Sequence, residues 1–229
     1  EINKRTTMFA WLKENKYTVC FLQETFCTSA AKTQINKNWN GEVIHSVSRS
    51  SHSKGVCILL SNNLNHDIIS THSDDDGRIV LVNLKIHDSE YTFVNIYAPN
   101  KVHDRSSLFK HLAQFIDLHS LNKNRLFIGG DFNCALTTND RVSGKTDSST
   151  NVLKDIITKY DLIDSWKHFN PYRKVYTYID PSIRNRNSRI DYVFCSDCMK
   201  PLCVSSAICQ APAPDHKAVC LYLKTSINK

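Results

Sequence analysis

Glycine and proline are scarce in this chain, six of each in 229 residues. That scarcity argues against a disordered chain. No apolar run approaches the roughly 18 residues of a membrane span, so no membrane is expected. Internal repeats, low-complexity tracts and linker-like stretches are also missing. The length then suits one large domain covering residues 1–229. There is no recognisable secretory leader. Glu1 is an unusual first residue, and the chain is expected to be a fragment.

Hydrophobic residues make up 41% of the chain, enough for a proper core. Nine cysteines are spread through apolar runs, among them Cys20, Cys57, Cys134, Cys195 and Cys220. An odd number in a chain able to build a core reads as reduced thiols, as in a cytosolic or nuclear protein. Within the group Cys195, Cys198, Cys203 and Cys209, only the first pair has zinc-like spacing. The formal charge of +7 favours a polyanionic partner. Arg184, Arg186 and Arg189 fall close together, interleaved with Asn185, Asn187 and Ser188. They form either a solvated loop or a hairpin that contacts phosphates.

Strands and amphipathic helices alternate along the chain. Helices are expected over Thr7 to Lys16, from Asp104 or Ser106 to about His119, and over Ser149 to Tyr160. Strands are expected over Thr18 to Gln23, Gly55 to Leu60, Arg78 to Ile86, Tyr91 to Ala98 and Arg125 to Gly129. Lys174 to Ile179, Arg189 to Cys195, Val204 to Ile208 and Ala218 to Leu223 complete that set. Several strands follow one another without a helix, which argues against a purely parallel sheet. Two mixed sheets packed face to face, with helices outside, would bury strands on both faces and explain their continuous apolar runs.

The polar residues cluster at strand ends. Asp131-Phe132-Asn133 follows two glycines and the run Leu126-Phe127-Ile128, so an acid and an amide two residues apart face the same way. Glu24, Tyr97, Asp191, Asp215 and His216 also sit at or just before strand ends. A set this rich in acids repels itself unless a cation lies among it. Phosphodiester hydrolysis needs an activated water, neutralised phosphoryl charge and help for the leaving oxygen. Glu24 is a hard oxygen ligand suited to Mg²⁺. Asp131 can accept a proton from water, and Asn133 can hold that water or donate to a phosphoryl oxygen. His216 can donate to another, with Asp191 behind it to set tautomer and charge. Asp215 adds a second acid near the metal, and Tyr97 offers a phenol donor. The other nine histidines read as surface residues. Asp74-Asp75-Asp76-Gly77 reads as a turn, lacking the spacing and distal Glu of a calcium loop.

Gln23-Glu24-Thr25, Asn95-Ile96-Tyr97-Ala98-Pro99-Asn100, Gly129-Gly130-Asp131-Phe132-Asn133, Arg189-Ile190-Asp191-Tyr192 and Asp215-His216 occur in that order. Together they resemble the endonuclease/exonuclease/phosphatase superfamily of apurinic endonucleases and DNase I-like enzymes. Their wording is most similar to the endonuclease domain of non-LTR (LINE-type) retrotransposons, from about Asn3 to Leu223. The resemblance implies a four-layer α/β sandwich. It implies Mg²⁺ (with Mn²⁺ as the substitute ion) at Glu24, Asp215 beside the metal, and Asp131 and Asn133 aligning water and phosphate. It places His216 on the scissile phosphate with Asp191 behind, and Tyr97 facing the phosphate. Thr177 matches a threonine near the DNA-facing groove, and Arg141 a phosphate contact. Ile183, Arg184, Asn185 and Arg186 correspond to a hairpin that helps choose the target.

The implied function is a Mg²⁺-dependent endonuclease that nicks one strand of double-stranded DNA in the nucleus. The 3′-hydroxyl left behind would prime the reverse transcriptase region of the same polyprotein. No aromatic-x-Asp-Asp polymerase signature is present in this stretch. Two departures stand out. The family's first strand, which carries an Asn near the metal, would lie upstream of this sequence. Pro214 also replaces the usual Ser before Asp-His, which stiffens the loop and predicts slower chemistry. The alternatives are a phosphatase or phosphodiesterase acting on a small phosphoester, and a weakly active DNA-binding module.

Overall fold

The computed structural model describes residues 2–25, 35, 38–46, 55–183 and 186–224. Its centre is a six-stranded mixed sheet in the order β4-β5-β6-β7-β9-β8. The strands are β4 (His66–Ser73), β5 (Ile79–Ile86), β6 (Ser89–Tyr97), β7 (Leu126–Asp131), β8 (Leu162–Asp164) and β9 (Asp191–Ser196). Among the described strands only β6 and β7 pair in parallel, joined by helix α2 (Val102–His119). The crossover follows because parallel neighbours need a long connection.

One face of this sheet packs on α2 and α3 (Ser149–Lys159). Leu81, Val94 and Ile128 of the sheet meet Leu108, Phe109, Leu112, Leu153 and Ile156 of the helices. The other face packs on a three-stranded antiparallel sheet, β1 (Val19–Gln23), β3 (Val56–Ser61) and β2 (Gly41–His45). Val56, Ile58 and Leu60 there meet Val80, Val82, Phe93 and Phe127. The outer side of β1 and β3 is covered by Phe9 and Leu12 of α1 (Ile2–Glu14), with Trp39. The result is the four-layer arrangement expected. β3, buried at every position, reads as one apolar run because both of its faces are covered.

The structure refines the expectation of two mixed sheets. Among the described residues the second layer is antiparallel and in two pieces, the three-stranded sheet and the hairpin of β10 (Cys203–Gln210) and β11 (Lys217–Leu223). Lys174 to Ile179 is not a named strand, and only Tyr178 forms isolated bridges, to Ser188 and His216. β2, β4, β8 and the short helix α4 (Ser165–Phe169) are not among the elements expected from the sequence. β4 is an edge strand with half of its side chains exposed and none buried, so its sequence His66–Ser73 lacks the apolar signal of a buried strand.

Not all histidines lie on the surface: the His66 side chain is 6% exposed, and His72 stacks on His119 with centroids 4.1 Å apart. The cysteine group does not converge on one point. Cys203 and Cys209 occupy opposite ends of β10, roughly 20 Å apart at 3.3 Å per residue. Cys195 and Cys203 approach to 3.9 Å, while Cys198 donates to Asn124 O.

The Gly-Gly pair before Asp131 has a steric cause. A Cβ on Gly129 would come within 2.3 Å of the Phe21 ring, which lets β1 lie close against β7. Gly130 has φ +134, and a Cβ there would fall 2.0 Å from Ile96 O. Only glycine holds that backbone at low cost.

Candidate active site

Strand register gathers the site. Asp131 pairs with Tyr97 across the parallel β6–β7 ladder and with Asp191 across β7–β9. The three side chains therefore form one row at the end of adjacent strands, on the face turned toward β1 and β3. Tyr97 Oη donates to Glu24 Oε1 at 2.6 Å, which brings the end of β1 into that row. His216, just before β11, sets Nδ1 at 3.1 Å from both Asp191 oxygens. Asp131, Asp191 and His216 converge so that one ligand atom from each lies within 4.8 Å of the others.

Two site residues carry unusual backbone. Glu24 has φ +53 and Asn133 φ +49, both in the left-handed region. Such geometry is sparsely populated and clusters at functional sites. Asn133 uses its donors on the protein: its backbone N–H reaches Asp131 Oδ1 at 2.8 Å. Its side-chain amide donates to Ala98 O at 2.8 Å and Asp131 Oδ2 at 3.2 Å. The amide thus orients Asp131, and its own oxygen, Asn133 Oδ1, is the side-chain atom left to hold a water.

The electrostatics are lopsided. Burial pushes the Asp131 carboxyl up to about 8, with the Asp191 charge adding to the rise and Glu24 contributing. Burial alone would lower His216, but the hydrogen bond and charge of Asp191, then Asp131 and Asp215, outweigh it and raise the imidazole to about 9. One imidazolium faces several carboxylates, and the repulsion left over adds to the effect of burial on Asp131. Hard carboxylate oxygens with unrelieved negative charge fit a hard divalent cation. Asp131 and Asp191 converge there, and Glu24 stands beside them, bonded to Tyr97 and near enough for its charge to act on Asp131. Asp215 lies on the His216 side, where its charge acts on the imidazole and its backbone O accepts from Ile179 N at 2.8 Å.

The expected DNA contacts fare differently. Arg141 and Arg186 line a cavity of about 370 Å³ that opens beside Asn133, together with Asn100 and Tyr178. Arg141 also lies 3.8 Å from Asp147, which the buried Arg105 holds at 2.8 Å. Ile183 is 42% exposed. Arg184 and Asn185 lie outside the described residues. Thr177 is corrected: it is fully buried, and its hydroxyl accepts from the N–H groups of Ile190 and Asp191 at 3.0 and 3.2 Å. It positions Asp191 and does not face a groove. Arg189 is corrected too. Its guanidinium is buried, donating to Asp140 at 2.8 Å and Asp164 at 2.6 Å and lying over the Tyr192 ring. It carries no phosphate.

Two further residues position the site and are not among those expected from the sequence. Asn95 is fully buried and donates to Leu22 O and Cys57 O at 2.9 and 2.8 Å, while accepting from Gln23. It ties the strand bearing Tyr97 to the strand bearing Glu24. Its place two residues before Tyr97 on one strand face was the available signal. Arg78 donates to Tyr97 O at 3.1 Å and sets its guanidinium 5.5 Å from the Tyr97 ring centroid.

The sequence profile of the Endonuclease/Exonuclease/phosphatase family matches residues 3–215. The chain is 32% identical over 224 residues to the Transposon TX1 uncharacterized 149 kDa protein of Xenopus laevis. That alignment covers 96% of this chain and 17% of the relative, so the chain spans about a sixth of its length. The fold is similar to the endonuclease domain of TRAS1, a telomere-specific non-LTR retrotransposon, with TM-score 0.73 and 18% identity, covering 96% of this chain and 91% of that one. It is also similar to the 3′ phosphatase NExo from Neisseria bound to product DNA hairpin, with TM-score 0.71 and 16% identity, covering 94% of this chain and 92% of that one. Profile and identity agree across nearly the whole length, and this protein belongs to the endonuclease/exonuclease/phosphatase family.

Proposed function

We propose that this chain is a Mg²⁺-dependent DNA endonuclease. It nicks one strand of chromosomal DNA in the nucleus and leaves a 3′-hydroxyl for the reverse transcriptase region of the same polyprotein. The observation that carries this reading is the convergence of Asp131, Asp191 and His216 beside the Glu24–Tyr97 pair. Family membership and the transposon relative support a nuclease role.

The residues divide the work. Asp191 holds His216 by Nδ1, leaving Nε2 to donate to a phosphoryl oxygen, and the raised imidazole is protonated at neutral pH. Asp131, once ionised, takes the proton of the attacking water held by Asn133. Tyr97 fixes the Glu24 carboxylate. A divalent cation held by Glu24 with the Asp131 and Asp191 carboxylates would supply Lewis-acid neutralisation of phosphoryl charge; Mn²⁺ should substitute. Arg141 and Arg186 would receive flanking phosphates. The test is nicking of supercoiled plasmid with Mg²⁺ by this chain and by His216→Ala. Nicking lost in the variant supports the reading. Silence of both on DNA, with salt-insensitive turnover of a small phosphoester, would favour a phosphatase.

A cation should matter more at higher pH. Unfolded, Asp131 loses its proton near the ordinary carboxylate value, whereas folded it keeps it to about 8. The folded state then binds more protons, so stability falls as pH rises through that window. His216, raised to about 9, contributes stability that is complete below the unfolded value and lost through about 9. Both slopes have the same sign. In EDTA the Tm should fall from pH 5 to 9. The rise in Tm on adding Mg²⁺ should grow over the same range, because protons compete for Asp131. An equal rise at both ends of the range would remove Asp131 from the cation site.

A further inference from the structure

Charge is unevenly spread around the site. Residues 165–179 contain no acid and carry Lys167, Arg173 and Lys174. Residues 198–224 contain a single acid, Asp215, against Lys200, Lys217 and Lys224. These stretches adjoin in space: Asn170 Nδ2 donates to Ser206 O of β10 at 3.1 Å, and Lys217 N donates to Thr177 O at 2.8 Å. On this flank Pro171, Tyr172, Arg173 and Lys174 are exposed. Tyr172 is 98% exposed, more than any other large hydrophobic side chain among the described residues.

The display is built, not incidental. Arg173 N donates to Asn170 O at 3.2 Å, closing a turn with Pro171 at its second position and Tyr172 at its third. Asn170 is anchored by its backbone N–H and side-chain amide to Trp166 O, at 2.9 and 3.0 Å. Lys167 Nζ reaches Arg173 O at 3.3 Å, which brings its charge to the same turn. A rigid turn therefore holds up an aromatic face between cations. Thr177, whose hydroxyl holds Asp191, lies five positions after Tyr172. Extended chain limits that separation to about 18 Å, which a DNA strand rising 3.4 Å per nucleotide covers in about five nucleotides.

We propose that the turn at Tyr172, with Lys167, Arg173 and Lys174, is a stacking platform for unpaired nucleotides of the DNA strand leaving the active site. The cations select a polyanion, and an exposed ring without a partner selects a base freed from pairing. The proposal rests on the endonuclease reading and deepens it, making DNA that is locally single-stranded beside the cut the favoured substrate.

The experiment compares a duplex bearing an unpaired oligothymidine tail with the same duplex blunt, by fluorescence anisotropy in Ca²⁺ and by nicking in Mg²⁺. The tail should tighten binding by the parent protein. Tyr172→Ala should lose about tenfold or more on the tailed duplex and nothing on the blunt one, and Tyr172→Phe should retain parent affinity. Replacing Arg173 and Lys174 by Gln should flatten the salt slope by about 1.4 for the tail. Equal affinity of Tyr172→Ala and parent for the tailed duplex, or an equal loss on both duplexes, overturns the platform. Tighter binding of an RNA tail overturns the assignment to DNA. Tail binding that depends on Tyr172 without any nicking would sustain the platform and sink the endonuclease reading. Nicking indifferent to the tail and to Tyr172 would do the reverse.

Discussion

Asp131→Asn is expected to slow nicking about a thousandfold, in the range typical for removing a general base, while DNA binding is retained. The side chain keeps its shape but can no longer accept a proton. The stability change runs the other way. Asp131 is buried and its ionised form is disfavoured by desolvation and by Asp191. A neutral amide removes that penalty, so the variant should melt above the parent protein in EDTA between pH 5 and 8. Greater stability with lost activity is the usual signature of a site that holds strain for function. Both Asp131 oxygens accept from Asn133, so the introduced amide oxygen keeps the 2.8 Å bond from the Asn133 backbone N–H while the longer contact from its side chain, 3.2 Å, is given up. Single-turnover nicking and thermal melts on the same preparation decide the matter. A variant that cuts at near-parent rate would take Asp131 out of the chemistry.

The second large effect concerns folding. Arg189→Leu is expected to cost about 3–5 kcal/mol, the usual result of removing one member of a buried ionic group. Asp140 and Asp164 would be left as uncompensated charges in the interior, 7% and 14% exposed. Both have further duties. Asp140 closes the capping box at Thr137, and Asp164 accepts from Lys167 N at the start of α4. The loss should therefore spread from β9 to the elements on either side of it. Urea unfolding reads the effect directly. If Arg189 were instead a phosphate contact, the variant would unfold at the parent midpoint and lose about one unit of salt slope in DNA binding.

These two residues show what the sequence discloses and what it withholds. Asp131 was legible because strand alternation makes the facing of positions 131 and 133 a local property, and because Gly129-Gly130 marks close backbone approach. The acids at strand ends were legible for a similar reason: a polar residue ending an apolar run has few places to go. Arg189, two residues from Asp191, looked like part of a basic cluster with Arg184 and Arg186. Its burial depends on Asp140 and Asp164, which lie 49 and 25 residues away. Thr177 was misread for the same cause, since its hydroxyl is taken up by Ile190 and Asp191 across the fold. No local pattern reports a partner so distant.

Strand edges and short elements failed in a different way. β4 lies at the rim of the sheet with polar side chains, so it lacks the apolar alternation that marks a half-buried strand. Periodicity measures burial, and burial is weak at an edge. The buried strands of the two inner layers, and the helices α2 and α3 with one apolar face, were legible because their own residues carry the signal. The sequence by itself thus determined the class of the fold, the order of its layers and the types of side chain available for chemistry. Tertiary structure alone decided which of them meet. Register across β6, β7 and β9 aligned Tyr97, Asp131 and Asp191, and the packing of β1 on that sheet brought Glu24 to Tyr97. Local propensity acts over a few residues, whereas the charges and distances that define a site are set by contacts between segments far apart in the chain.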